Sequence, residues 1–130
     1  MAVKILIVDD SPTVRLVLLK ALQPYDCTVA EACDGAEGLV AAAREHPDLI
    51  LLDLSMPVMD GERMLKQMVA ETELKSIPVI LVTSEADRED ARKLVKFGVR
   101  DFVMKPFRED ELLQSVLKVI PLVKRKVAAT

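Results

Sequence analysis

Five side chains capable of polar chemistry stand where apolar runs stop: the carboxylates Asp9, Asp10 and Asp53, the hydroxyl of Thr83 and the ammonium of Lys105. The run Leu49-Ile50-Leu51-Leu52 has the unbroken apolar character of a strand buried on both faces of a parallel sheet, and it ends abruptly in Asp53. An unpartnered carboxylate is a poor core residue, so the chain must emerge into a polar crevice at that point. An aspartate that merely caps a strand would explain Asp53 if it stood alone. It does not, because Lys4-Ile5-Leu6-Ile7-Val8 ends in Asp9-Asp10, the run Ile77 to Val82 ends in Thr83-Ser84, and Asp101-Phe102-Val103-Met104 ends in Lys105.

Three carboxylates in one crevice repel one another and raise their own pKa values unless a cation is bound. Oxygen donors with room for water suit Mg2+, with Asp10 and Asp53 as direct ligands, Asp9 acting through water and a backbone carbonyl at Ser55 completing the set. Asp53 is then the expected phosphoryl acceptor. Catalysis of such a transfer consists mainly of positioning and of neutralising charge on the transferred oxygens. Lys105 supplies a positive charge for that purpose and the Thr83 hydroxyl a hydrogen-bond donor.

The elements that must position these residues follow in alternation. Ser11-Pro12 reads as an N-cap with proline at the first helical position, opening a helix to about Leu22 whose Val14, Leu18 and Leu22 recur at helical spacing. Thr28 to Ala32 is a less apolar strand, expected at a sheet edge, and Asp34-Gly35 turns the chain into a helix from Ala36 to Arg44. After the strand ending in Asp53 comes a helix carrying Met64, Leu65, Met68 and Val69. A fourth strand spans Ile77 to Val82, a fourth helix runs from about Ala86 to Phe97 with Gly98 as its cap, and a fifth strand covers Asp101 to Met104. Glu109 to Ile120 forms the last helix, and Lys124-Arg125-Lys126 is expected to be a solvated basic helix end. Five βα units imply an α/β fold, a doubly wound parallel sheet with helices on both faces, whose strand ends share one edge.

A chain of 130 residues suits one domain over 1–130, with 121–130 as helix end and tail. Eighteen basic against twenty-one acidic residues leave no excess of positive charge to hold nucleic acid, which argues against direct DNA binding. No segment approaches the roughly 20 apolar residues that cross a bilayer, and Met1-Ala2-Val3-Lys4 leads straight into a strand without a signal-peptide profile, so a cytoplasmic protein is expected. Cys27 and Cys33 flank a strand that holds them about 20 Å apart, beyond disulfide reach, and are expected to be reduced thiols. His46 reads as a solvated loop residue, and no Cys/His zinc set can be assembled.

The motifs Asp9-Asp10, Asp53 with Met56-Pro57 and Asp60-Gly61 behind it, Thr83-Ser84 and Lys105-Pro106-Phe107 together resemble a response-regulator receiver domain of two-component signalling, of the stand-alone chemotaxis type. The resemblance covers essentially the whole chain and implies a flavodoxin-like fold, strand order 2-1-3-4-5 with five helices. It implies that a sensor histidine kinase donates the phosphoryl group from phosphohistidine to Asp53, and that the aspartyl phosphate later hydrolyses with help from the domain. It further implies a switch in which the Thr83 hydroxyl moves toward the phosphate while Phe102 rotates inward, Phe102 standing where tyrosine is often found. The face of the fourth helix, fifth strand and fifth helix is then the surface for an effector protein, and Ser55 and Glu85 lie where family members tune the phosphoryl lifetime. Arg100 and Gln114-Ser115-Val116 match the charge pattern of winged-helix regulator dimers poorly, so a monomer or weak dimer is expected.

Other readings remain open at this level: a phosphorelay intermediate, a receiver cut from a longer regulator, an aspartyl-nucleophile phosphatase, or a flavodoxin-like electron carrier. The phosphatase usually needs an acid two residues after its nucleophile, where Ser55 stands. The electron carrier wants hydroxyls and glycines after the first strand, where Asp9-Asp10 would repel a phosphate.

Overall fold

In the computed structural model, which describes residues 2–126, the apolar runs become strands β1 (Val3–Val8), β2 (Cys27–Ala32), β3 (Leu49–Leu52), β4 (Val79–Ser84) and β5 (Val99–Lys105). Between and after them lie helices α1 (Pro12–Leu22), α2 (Gly35–Glu45), α3 (Gly61–Ala70), α4 (Arg88–Lys93) and α5 (Glu109–Val119). The strands are parallel and ordered β2-β1-β3-β4-β5, with the least apolar of the predicted strands, β2, at an edge.

Alternation along the strands divides the core into two layers. Leu6, Val8, Ile50, Leu52 and Leu81 pack against Met64, Leu65, Met68, Ala91 and Leu94 on the α2, α3 and α4 side. Ile5, Ile7, Leu49, Leu51, Ile80 and Val82 pack against Leu18, Leu22, Leu112 and Val116 on the α1 and α5 side. Each such fully buried side chain stabilises the fold by about 1.5–3 kcal/mol, so the strands form a rigid frame and their ends are fixed in space. The helices start where their sequences provide caps: Ser11 Oγ accepts from the Val14 amide (3.2 Å), Asp34 from Glu37 (2.9 Å) and Asp60 from Arg63 (2.9 Å).

Four expectations need correction. β4 begins at Val79 rather than Ile77, because Pro78 has no amide hydrogen and joins the ladder only through its carbonyl, which accepts from Ile50 (3.0 Å). β5 extends to Val99 and Lys105 on either side of the four residues foreseen, with a register irregularity at Val79/Ile80 where it starts. The fourth helix is not one element from Ala86 to Phe97: a 3-10 turn over Glu85–Asp87, the short α4 and a second 3-10 turn over Val95–Phe97 follow one another. The side chain of Asp87 is drawn to neighbouring hydroxyls at the first break, and Gly98 (φ 87°) tightens the end at the second.

The basic tail is the fourth. α5 stops before Pro121, and the chain folds back so that Lys124 pairs antiparallel with Tyr25, Asp26 donates its amide to Val123 O (2.7 Å) and Arg125 donates its own to Pro24 O (2.8 Å). The Arg125 guanidinium donates to the carbonyls of Gln23 (2.9 Å) and Cys27 (2.8 Å). It satisfies carbonyls around the end of α1 that would otherwise need water. The parts of the sequence expectations that concern Met1 and 127–130 lie outside the described residues.

Cys27 is buried, Cys33 half-buried, and both are free. His46 is exposed as expected and, with φ 47°, is the left-handed cap of α2. Among the described residues no helix is long and apolar enough to cross a membrane.

Candidate functional site

The C-terminal ends of β1, β3, β4 and β5 meet at one rim. Carboxylate oxygens of Asp9, Asp10 and Asp53 all lie within 4.8 Å of one another, with Asp9 and Asp53 buried and Asp10 exposed. Lys105 Nζ reaches across from β5, 2.9 Å from Asp9 Oδ2 and 3.3 Å from Asp53 Oδ2. Residues 96 positions apart in the chain thus form an ion pair at the centre of the site.

Asp9 is held on both oxygens: Oδ1 accepts from the Ser11 amide (2.9 Å) while Oδ2 takes Lys105. Arg15 supports the same corner, donating to the Asp9 carbonyl (2.6 Å) and to Glu31 (3.0 Å). Asp53 Oδ1 accepts from the Leu54 amide (2.8 Å), which leaves Oδ2 toward Lys105. Burial pushes the Asp53 carboxyl above the ordinary carboxylate range, with the Asp9 charge adding to the rise and Lys105 opposing it. Burial pulls Lys105 down, but its hydrogen bond to Asp9 and the two carboxylate charges outweigh that and raise it.

Behind Asp53 the loop to α3 is packed closely. Gly61 donates its amide to Leu54 O (2.9 Å), and a Cβ on Gly61 would collide with the Asp53 carbonyl oxygen. Only glycine lets α3 start that close to the acceptor strand. In the same loop Val58 takes the left-handed conformation (φ 66°) although it is β-branched and 83% exposed.

Thr83 is fully buried at the end of β4. Ser55 is exposed beside the rim, and its hydroxyl donates to Asp87 Oδ2 (2.7 Å). Glu85 is exposed and paired with Arg88 (3.0 Å), so its carboxylate is engaged along the helix. Phe102 is half-buried and packs against the α2, α3 and α4 side of the core, three positions before Lys105 on β5. The Lys105–Pro106 peptide bond is cis.

Sequence reasoning missed Asp87 and Arg15, and it read Ser11 as a helix cap without its amide bond to Asp9. Asp87 accepts from Ser55, Ser84 (3.2 Å) and, at 3.5 Å, Thr83, but in sequence it is one acid among several at the start of a helix. Arg15 was readable only as a polar position of α1, since its partners lie just past β1 and on β2.

Hard oxygen donors grouped this closely, with a lysine to offset part of their charge, fit a small divalent cation better than a soft metal. The sequence matches the family described as Response regulator receiver domain over residues 5–117. The chain belongs to that family.

As a receiver domain it is a phosphoacceptor signalling unit of the two-component and chemotaxis systems, not an enzyme in the ordinary sense. It is 36% identical over 117 residues to the chemotaxis protein CheY of Pseudomonas aeruginosa, covering 89% of this chain and 94% of that protein. It is 35% identical over 122 residues to the hybrid signal transduction histidine kinase D of Dictyostelium discoideum, covering 94% of this chain but only 8% of the kinase. The receiver domain of the sensor histidine kinase PA1611 from P. aeruginosa, solved with a magnesium ion coordinated in its active-site cleft, superposes with a TM-score of 0.81 at 28% identity, covering 92% of this chain and 98% of that one. Receivers of this family bind Mg2+ in the active site and work with histidine kinases and downstream effectors.

Proposed function

We propose that Asp53 is the residue that carries the phosphoryl group, with Lys105 and Thr83 as its catalytic partners. An Asp53 carboxylate oxygen forms the bond to phosphorus as the bond from phosphorus to a kinase imidazole nitrogen breaks, and the imidazole leaves and recovers its proton from solvent. What carries this reading is Lys105 Nζ, 2.9 Å from Asp9 and 3.3 Å from Asp53, a cation fixed beside the one carboxylate that ends the central strand. Lys105 is placed to take charge developing on the transferred oxygens, and Thr83 to donate its hydroxyl to one of them.

Asp10 and Asp53 would hold Mg2+ directly, Asp9 through water and Ser55 through its backbone carbonyl. Bound there, the cation would neutralise phosphoryl charge and relieve the repulsion among the three carboxylates.

The remaining assignments belong to the same reading. Residues 1–130 act as one receiver unit, monomeric or weakly dimeric, in the cytoplasm. A sensor histidine kinase is the donor, and the face of α4, β5 and α5 meets an effector protein after Thr83 and Phe102 rearrange. In support, Asp101 on β5 already spends its charge inside the chain, on Ser115 (2.7 Å) and Lys118 (3.6 Å), and so is not free for a charged dimer contact. Ser55 and Glu85 adjust the lifetime of the phosphorylated state.

Incubation with acetyl phosphate and Mg2+ is expected to add the mass of one phosphoryl group to the wild-type chain and none to Asp53→Asn. No mass gain in wild type, or an equal gain in the variant, overturns the assignment.

A further inference from the structure

The hydroxyls beside the acceptor are gathered by a residue outside the set expected from sequence. Asp87, half-buried at the end of the 3-10 turn, accepts on Oδ2 from Ser55 (2.7 Å), Ser84 (3.2 Å) and Thr83 (3.5 Å). The Ser55 bond is short and charge-assisted, and it joins loops 32 residues apart in sequence, so it ties the loop after β3 to the loop after β4 across the rim. The Thr83 bond is at the outer limit of hydrogen-bond length, which makes it cheap to exchange.

A threonine hydroxyl has one proton to donate. While that proton points at Asp87 it cannot serve an anion on Asp53, and Thr83 is fully buried, so water offers no third arrangement. We infer that Asp87 is a positioning residue of the acceptor crevice: it competes with the phosphoryl group on Asp53 for the Thr83 hydroxyl and so holds the chain toward its unphosphorylated state. This rests on Asp53 being the acceptor. The Ser55 and Ser84 bonds keep the Asp87 carboxylate aimed at Thr83, so the competitor stays in place while the hydroxyl turns from one acceptor to the other.

Beryllofluoride in the presence of Mg2+, which occupies an aspartate as a phosphoryl group would, measures the competition. Titration followed by NMR at the Leu54 amide, which donates to Asp53 and is present in every variant, is expected to show Asp87→Ala binding beryllofluoride about twofold more tightly than wild type, the worth of one weak hydrogen bond removed from the resting state. Asp87→Asn, which keeps the shape, should shift the same way by less. In a Thr83→Ala background the Asp87→Ala gain should disappear. A gain of the same size in that background means that Asp87 acts only as a nearby negative charge and overturns the inference, as does an unchanged or weakened affinity in both single variants, which is what a merely structural role predicts. Wild-type protein that binds no beryllofluoride and takes no phosphoryl group from acetyl phosphate fails the acceptor reading itself, and the inference with it.

Discussion

Among the described residues Lys105 is the ammonium paired with the rim's buried carboxylates, and its worth can be separated from theirs by pH. The side chain of Asp9 is 2% exposed, so replacing Lys105 by methionine leaves a buried charge with the Ser11 amide as its remaining strong partner. Removing one member of such a pair is costly, and with Lys105 itself 23% exposed about 2 kcal/mol of unfolding free energy is expected to be lost at neutral pH without added Mg2+. Lys105 sits above its ordinary value of 10.5 in the folded chain, so its contribution is fully present below that value and is lost as pH rises through the higher folded one. Urea unfolding across this range should therefore show a steady gap between wild type and Lys105→Met up to about the ordinary lysine value, closing at more alkaline pH. A gap that opened only in alkali would contradict the pairing. Asp53 works in the opposite sense: its raised carboxyl means that ionisation at neutral pH is paid for by the rest of the fold, as expected where a site is built for a ligand rather than for stability.

At the scale of elements, strain is concentrated in the loop that follows the acceptor. A β-branched residue in the left-handed region is disfavoured by about 1–2 kcal/mol, and Val58, 83% exposed, recovers little of that by burial. Asparagine tolerates the conformation, so Val58→Asn is expected to raise unfolding free energy by about 1 kcal/mol, read from urea or thermal unfolding; a loss would show that the valine side chain contributes a contact larger than the strain. The strand exits were legible because each ladder is apolar up to the residue that leaves it, as in Leu52 followed by Asp53. The strand order was not in that pattern and came from the motif resemblance. The breaks on either side of α4 were hidden because Ala91 and Leu94 keep helical spacing, while the hydroxyls that draw Asp87 away from regular helix belong to β4 and to the loop after β3. An element with only six α-helical residues between two tighter turns is the weakest helix of the five by backbone bonding, which suits the rearrangement proposed for that face.

At the scale of the molecule, the strongest departure from the sequence reading is at the far end from the site, where contacts join positions about a hundred residues apart that no local pattern can reveal. Three basic residues after a helix look like a solvated end, yet Arg125 closes the gap between α1 and β2 by donating to Gln23 O and Cys27 O, 102 and 98 positions away. It also borders the open cavity of about 440 Å3 in which Cys27 lies. Burial pushes the Cys27 thiol up, the Arg125 charge pulls it down and Asp26 raises it again. Arg125→Ala therefore has two opposed effects on thiolate formation, loss of a favourable charge and loss of cover, and burial being the larger influence, cover should decide the outcome. Two hydrogen bonds from a half-exposed guanidinium should be worth about 1 kcal/mol together, since the freed carbonyls can take water instead. The variant is expected to unfold about 1 kcal/mol more easily in urea and to let a disulfide reagent label Cys27 several-fold faster under native conditions, with Cys33→Ala present so that a single thiol is read. Unchanged labelling and stability would mean that the tail rests on the domain without closing it.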